Sequence, residues 1–309
     1  MGQQLWSPNS LGGYLSNDTL SRQTRHAAQT LQRFRQFVDV EAAAGKGKGE
    51  NVLFNKISNI STAGGTLSET STIPKNNYTI QQDSLTVNEW GNSVPFTLKA
   101  KCLAEVSVPD IVNEVLRNDM AKVLDSNAAA EFQSSLYKAV ITNTATTTFT
   151  TNGTAAGAAG ANMSDKNVRD IIDQMKKLNI PKRSDGNYAC IGSTNAIRGL
   201  YDFFEAKAQN TTMDPLMRGE IGKYYGCTFV EETNVLSNVL GTNSNTGEAI
   251  FCGGDAVREG IVIPEEMRID IPKDFGRDNA IAWYALLGFK KTWSYSADGE
   301  TRIIHVTST

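Results

Sequence analysis

From Pro109 onward, apolar side chains recur every three or four residues, at Val112, Val115, Leu116, Met120, Val123, Leu124, Ala128, Phe132, Leu136 and Val140. That spacing draws a single apolar stripe down one helix. Pro109 suits a first helical position, and Asp110 complements the positive end of the helix dipole. Sustained over about thirty residues, the helix would run roughly 45 to 50 Å, longer than most helices of globular domains. The spacing keeps no strict heptad, which argues against a coiled coil. The expectation is a spine on which a sheet packs.

The chain before this spine is poor in core-forming residues. Residues 1 to 19 set Leu5, Trp6, Leu11 and Tyr14 singly among Gly, Asn, Ser and Pro, a pattern that suits an extended arm docking on something else. From Leu20 to Val40, the residues Leu20, Ala27, Leu31, Phe34 and Val38 recur at helical spacing, while Arg22, Arg25, Arg33 and Arg35 occupy other positions with no acid before Asp39. These arginines form either a solvated helix face or a surface for acidic partners or DNA. Gly45, Gly47 and Gly49 alternate with lysines, but Gly49 follows Lys48 where a phosphate loop needs Ser or Thr, so a flexible basic turn is expected. Residues 51 to 99 are rich in Thr, Ser, Val, Ile and Asn, with turn residues at Gly64-Gly65, Pro74, Asn76-Asn77 and Gly91-Asn92. They read as a long β-hairpin or ribbon. Such a ribbon buries little against itself and needs a neighbour.

Beyond the spine, residues 142 to 162 are almost all Thr, Ala, Gly and Asn, and a mobile loop or irregular strand is expected. The texture then alternates: a helix from Ser164, a strand at Tyr188–Ile191, a helix from Ser193 through Phe204, and strands at Cys227–Glu231 and Ala249–Cys252. Residues 164 to about 262 therefore read as a compact α/β-type unit inside an α+β chain. Long strands are expected over Ile261–Ile271 and Asn279–Tyr295, with a buried run at Ala280–Phe289 that contains Trp283 and Leu286, and a short last strand at Arg302–Val306.

Composition narrows the function classes. A 309-residue chain with 40 % hydrophobic and 20 % charged residues can build a sizeable core. A net charge of −3 and a pI near 5.6 are unlike a dedicated nucleic-acid binder. Cys102, Cys190, Cys227 and Cys252 lie far apart, with two histidines in the whole chain, so they read as small buried hydrophobes in a reducing compartment, and no metal or other cofactor is expected. The first residues show no secretory signal, and Ala280–Phe289 is too short to span a bilayer, so no membrane association is expected.

Candidate chemistry is sparse. Asp274-Phe275-Gly276 matches the magnesium-holding triplet of protein kinases, but neither His26 nor His305 opens the catalytic loop such an enzyme needs, and an ordinary turn is the reading. Pro109-Asp110 and Glu205-Ala206-Lys207 are pieces of a nuclease metal site separated by nearly the whole spine helix and the segment beyond it. Glu231-Glu232 and Glu265-Glu266 are adjacent on strands, where neighbours point to opposite faces, so neither forms a catalytic dyad. No catalytic residues are assigned, and an enzyme is not expected.

Arm, ribbon, spine, α/β unit and a late return to the first core stand in a recognisable order. With "LMRGEIGKYYGCTFVEETNVL" at 216 to 236, "TLSRQTRHAAQTL" near the start, "DGNYACIGSTNAIRGLYD" at 185 to 202 and "GRDNAIAWYALLGFKKTW" at the close, the chain resembles the major capsid proteins of tailed bacteriophages, of Hong Kong 97 fold and podovirus-type branch. The resemblance implies an N-terminal arm over 1–43, an extended loop over 44–100, a peripheral domain over 101–163 and 263–309, and an axial domain over 164–262. It implies self-assembly as hexamers and pentamers into an icosahedral shell around double-stranded DNA held by non-specific contact. A scaffolding protein and a portal would assist, a decoration or cement protein could join, and assembly would occur in the host bacterial cytoplasm before the virion matures. Arg22, Arg25, Arg33 and Arg35 become candidates for inner-surface contact with scaffold or DNA, and Gly45, Gly47 and Gly49 for the hinge of the extended loop. Some members of the fold cross-link lysine to asparagine; Lys56 and Lys75 lie in the ribbon, but nothing marks partners for them, and no cross-link is expected. An encapsulin-type nanocompartment shell is the alternative within the fold. A metal-dependent nuclease or other soluble enzyme is the alternative outside it.

Overall fold

A computed structural model of the chain describes residues 28–41, 49–58, 60, 64–70, 72–208, 222–272, 274–293 and 299–309, with 202–208 described as backbone. In chain order the strands before the spine are β1 (Asp39–Glu41), β2 (Asn51–Ser58), β3 (Thr79–Thr86) and β4 (Asn88–Thr97). Next come the short helix α1 (Leu98–Leu103), the spine α2 (Val108–Gln133), and strands β5 (Lys138–Asn143) and β6 (Thr146–Thr150). Helix α3 (Asp165–Lys177), strand β7 (Tyr188–Gly192), helix α4 (Thr194–Ala208), β8 (Lys223–Tyr224), β9 (Cys227–Glu231) and β10 (Ala249–Cys252) follow. The chain closes with β11 (Val257–Ile269), β12 (Asp278–Lys291) and β13 (Ile303–Val306).

Helix α2 has 26 residues, about 39 Å at 1.5 Å per residue. It is shorter than the stripe suggested, because Ser134 caps it and Val140, with the β-branched Ile141 and Thr142, continues as β5. The helix serves two cores. Its first two-thirds place Val112, Leu116 and Leu124 against Ile281, Trp283, Ala285 and Leu287 of β12. Its last turns place Ala128, Ala129 and Phe132 against Ala189, Ile191, Ile250, Cys252 and Ile303.

The two cores back onto two sheets. A four-stranded sheet runs β1-β11-β12-β4, and a seven-stranded sheet runs β6-β5-β13-β10-β7-β9-β8. Helix α3, started by a capping box between Ser164 and Asn167, buries Val168, Ile171, Ile172 and Met175 on the face of the seven-stranded sheet away from α2. The sheet therefore has helices on both sides.

Several expectations are revised. Residues 28–33 hold no helix; a 3-10 turn at Phe34–Phe37 leads into β1, which pairs parallel with β11. Tertiary partners override the local periodicity there, since Phe34 is buried against Phe132 at 5.6 Å between ring centroids. Of the segment 142 to 162, residues up to 150 form the hairpin β5–β6, with a register shift between Ile141 and Asn143, while 151 to 162 hold no helix or strand. Strands β5, β6 and β13 join the sheet of β7, β9 and β10, through the parallel pairs Lys138↔His305 and Ala139↔Val306. Strand β12 is not a continuous buried run: Ile281, Trp283, Ala285 and Leu287 face inward, while Leu286 is half-buried on the opposite face, as period-two alternation requires.

Candidate functional site

Among the described residues, no three His, Cys, Asp or Glu side chains converge to hold a metal ion. Burial pushes the Cys252 thiol up to about 12 and raises those of Cys190 and Cys227, which leaves all three as thiols, inert in the sheet. Cys102 departs from the expected burial and is exposed. Asp110 lies in the first turn of α2, and the side chains of Glu205 and Lys207 fall outside the described residues. Asp274-Phe275-Gly276 is a 3-10 turn between β11 and β12, with Asp274 Oδ2 3.3 Å from Arg277 Nη1.

The β2–β3 ribbon is the part of the fold least able to bury itself. Its register pairs Ile57 with Ile80, Asn55 with Gln82 and Leu53 with Ser84. Those residues share one face, on which Leu53, Ile57 and Ile80 are each more than half exposed. Beyond the paired strands, Ile60, Leu67, Ile73 and Tyr78 are exposed as well.

The opposite face lies on the body of the same subunit. Leu85 is fully buried, and Lys56 is 4 % exposed with its Nζ 2.7 Å from Asp83 Oδ2. Burial alone would raise the Asp83 carboxyl, but the hydrogen bond from Lys56, the Ser84 N–H and the charge of Lys290 hold it below the usual carboxylate range. Lys56 Nζ also lies over the ring of Trp293 at 5.8 Å, and the Arg302 guanidinium lies over that ring at 5.2 Å. Gly288 lets the ribbon approach: a Cβ there would stand 2.1 Å from the Thr86 carbonyl oxygen. Of the expected hinge glycines, Gly49 has φ +84° with open space around it, a conformation that suits glycine. Gly45 and Gly47 lie outside the described residues.

Arg35, just before β1, is tied to the body. Arg35 Nη2 lies 2.8 Å from Glu259 and Nη1 2.8 Å from Glu265. Burial alone would lower the Arg35 pKa, but these two carboxylates raise it, and Arg35 pulls the Glu265 carboxyl below its ordinary range. The Arg35 N–H donates to Asp125 Oδ1 at 3.2 Å. Arg35 thus serves as an internal clamp, which differs from the expected free cation. Arg33 is half-buried, and Arg22 and Arg25 lie outside the described residues.

Two further polar sites escaped the sequence reading. Glu232, fully buried, accepts from the N–H groups of Val235 and Leu236 at 2.9 and 3.0 Å, so it caps the loop that follows β9. Lys138 Nζ donates to His305 Nδ1 at 2.7 Å, and His305 Nε2 donates to Glu248 at 2.5 Å. Burial would raise the Glu248 carboxyl, but His305 draws it below its ordinary range; burial lowers the Lys138 ammonium. This chain joins β5, β13 and the residue before β10 within the seven-stranded sheet. Separations of 167 and 57 residues hid it from sequence inspection.

A family model described as phage capsid protein matches residues 81–299. No curated protein matches the chain. Among solved structures, the chain is similar to the capsid of the cyanophage P-SCSP1u, at 13 % identity and TM-score 0.69, covering 96 % of this chain and 93 % of that one. It is similar to the acidic stable capsid structure of the Helicobacter pylori bacteriophage KHP30, at 14 % identity and TM-score 0.68, covering 94 % and 95 %. The capsid of Ralstonia phage GP4 aligns at 15 % identity and TM-score 0.64, covering 95 % and 96 %. At these identities the likeness is one of fold.

Proposed function

The chain belongs to the family of phage capsid proteins and has the Hong Kong 97 capsid fold, and from that premise we propose how its parts build a shell. Copies assemble as hexamers and pentamers into an icosahedral shell around double-stranded DNA, and the virion is where the protein resides. The carrying observation is the two-faced ribbon, clamped to its own subunit through Lys56, Leu85 and Gly288 and presenting Leu53, Ile57 and Ile80 outward. An apolar face that its own chain leaves exposed is stabilised by a neighbouring subunit, so order in the ribbon and assembly are coupled.

The four-stranded sheet with the first half of α2 takes the peripheral role, and the seven-stranded sheet with α3 and α4 takes the axial role around five-fold and six-fold positions. This allocation groups the parts by the sheet they join. Scaffolding protein, portal and a decoration protein are partners consistent with this reading. Arg22 and Arg25 remain the candidates for contact with scaffold or DNA, while Arg35 is engaged with Glu259 and Glu265.

Electron microscopy of the purified full chain tests the reading. Closed shells are expected from the wild-type protein, and a folded monomer without shells from the double variant Ile57→Asp/Ile80→Asp. Wild-type protein that stays monomeric at high concentration, or a double variant that still closes shells, would refute it. Charge reversal of Arg22 and Arg25 is expected to lower DNA content or particle yield, with the monomer still folded; unchanged virions remove those two residues from the account.

A further inference from the structure

Lys138, His305 and Glu248 are each more than nine-tenths buried, and four hydrogen bonds link them with Gln133 in a closed circuit. Lys138 Nζ donates to the Gln133 carbonyl oxygen at 2.7 Å and lies 2.7 Å from His305 Nδ1. His305 Nε2 lies 2.5 Å from Glu248 Oε1, and Gln133 Nε2 donates to that same oxygen at 3.0 Å. The circuit thus ties the last residue of α2 to the first residue of β5, to β13 and to the residue before β10. It spans a narrow seam. Strands β5 and β13 pair only at Lys138↔His305 and Ala139↔Val306, with the His305 and Thr307 N–H groups each donating across at 3.0 Å, whereas β10 pairs with β13 and with β7 at four positions each.

Donor and acceptor chemistry fixes the protons. An ammonium donates and never accepts, so Nδ1 accepts from Lys138 and Nε2 carries the imidazole hydrogen that Glu248 accepts. Passing the shared proton from Lys138 to Nδ1 leaves the count unchanged, because either arrangement holds one cation and one carboxylate. A further proton makes Lys138 and His305 cations together, 2.7 Å apart in a site shielded from water. We infer that the circuit is an acid-operated latch, which keeps the β5–β13 seam closed while the His305 imidazole is neutral and releases it when the imidazole takes up a second proton. The latch belongs to the single subunit and does not depend on the shell reading.

The surrounding groups leave that repulsion in place. Glu248 is bonded through both oxygens, its Oε2 accepting the Ser237 N–H at 2.9 Å. Burial would raise its carboxyl, but His305, the Ser237 N–H and Gln133 hold it below the usual range, so the incoming proton goes to the imidazole. Burial lowers the Lys138 ammonium; Glu248 opposes that, and Lys291 of β12 adds to it. Glu131 of α2 is engaged with Lys291, whose N–H donates to its Oε2 at 3.0 Å. Opening the seam returns Nδ1 to water, where it binds a proton without a cation against it. Opening therefore takes up a proton, and acid favours the open seam.

Hydrogen exchange of the unassembled full chain, corrected for the intrinsic rate at each pH, tests the latch. One proton taken up per opening, with an ordinary imidazole value near ~6.5 in the open state, raises the open fraction about ten-fold from pH 7.5 to 5.5. That increase is expected in peptides covering 137–143 and 303–309, and not in 188–192, where β7 is paired on both sides by β10 and β9. In Lys138→Met the imidazolium meets Glu248 with no second cation, so the increase is expected to vanish. Nitrogen-15 spectra of a His26→Gln chain, in which His305 is the single histidine, are expected to show the hydrogen on Nε2 alone at pH 7.5 and a second one on Nδ1 as the seam opens. Those spectra decide the matter if Lys138→Met does not fold. Equal acceleration in all three peptides, no acceleration, an increase that survives Lys138→Met, or an imidazole doubly protonated in the closed seam at pH 7.5 overturns the latch.

Discussion

Strands β7, β10 and β13 and the ribbon strands β2 and β3 each carry isoleucine, yet the fate of that residue differs between them. Every residue of β7, β10 and β13 is buried, because α3 covers one face of their sheet and α2 the other. The ribbon strand β2 alternates, exposed on one face and shielded by its own subunit on the other. Burial is thus completed within the chain in one region and left to neighbouring copies in the other. Substitutions in the first kind of region should unfold the monomer; in the second they should spare it and stop assembly.

The largest effect on monomer stability is expected at Trp283, fully buried between β12 and α2, with its Nε1 donating to Asp119 at 2.9 Å. Trp283→Ala should cost about 3–5 kcal/mol, and Leu287→Ala about 2–5, in chemical denaturation of the monomer. Leu286→Ala should cost less, about 1 kcal/mol, because the side chain is half-buried and its loss leaves little cavity. Equal costs at 286 and 287 would break the inside–outside assignment of β12.

Arg35→Ala comes next. It leaves the buried Glu259 without its guanidinium, and about 2–3 kcal/mol should be lost, part of it recovered by Glu259→Gln in the same chain. At the ribbon, Leu53→Asp should change monomer stability by less than about 0.5 kcal/mol while abolishing shells. Gly288→Ala should shift the ribbon from β12, seen as faster hydrogen exchange over residues 79–87, since a Cβ would collide with the Thr86 carbonyl.

Acid titration separates two groups of carboxylates. Asp83, Glu248 and Glu265 have folded values below their ordinary range. Their stabilisation is complete above the unfolded value near ~4 and is lost as pH falls through the folded values. Asp125 and Glu232 are shifted the other way, chiefly by burial. They favour the protonated form, so they weaken the fold as pH rises from about 4 through their folded values. Melting curves should therefore show Glu265→Gln reducing the loss below pH 4, and Asp125→Asn reducing the loss on the neutral side.

The periodic elements were legible because their signals are local. The start of α2 at Pro109, the Ser164 cap of α3 and the strands at 188 and 249 all follow from neighbouring residues, whereas the turn expected at Gly91-Asn92 lies within β4, paired to Tyr284 and Trp283. What failed depended on distant partners: Phe34 and Arg35 left a helical pattern because Phe132, Glu259 and Glu265 reward another path. Likewise Val140 left the spine for a strand beside His305-containing β13.

The sequence by itself determined a ribbon poor in core residues, a spine and alternating helices and strands beyond it, because hydrophobic period and turn chemistry act over a few residues. Only the tertiary structure decided which face of the ribbon stays open, which sheet receives β5 and β13, and that Asp274-Phe275-Gly276 turns its ring outward. Those outcomes depend on packing between residues far apart in the chain, where one-residue changes of register exchange inside for outside.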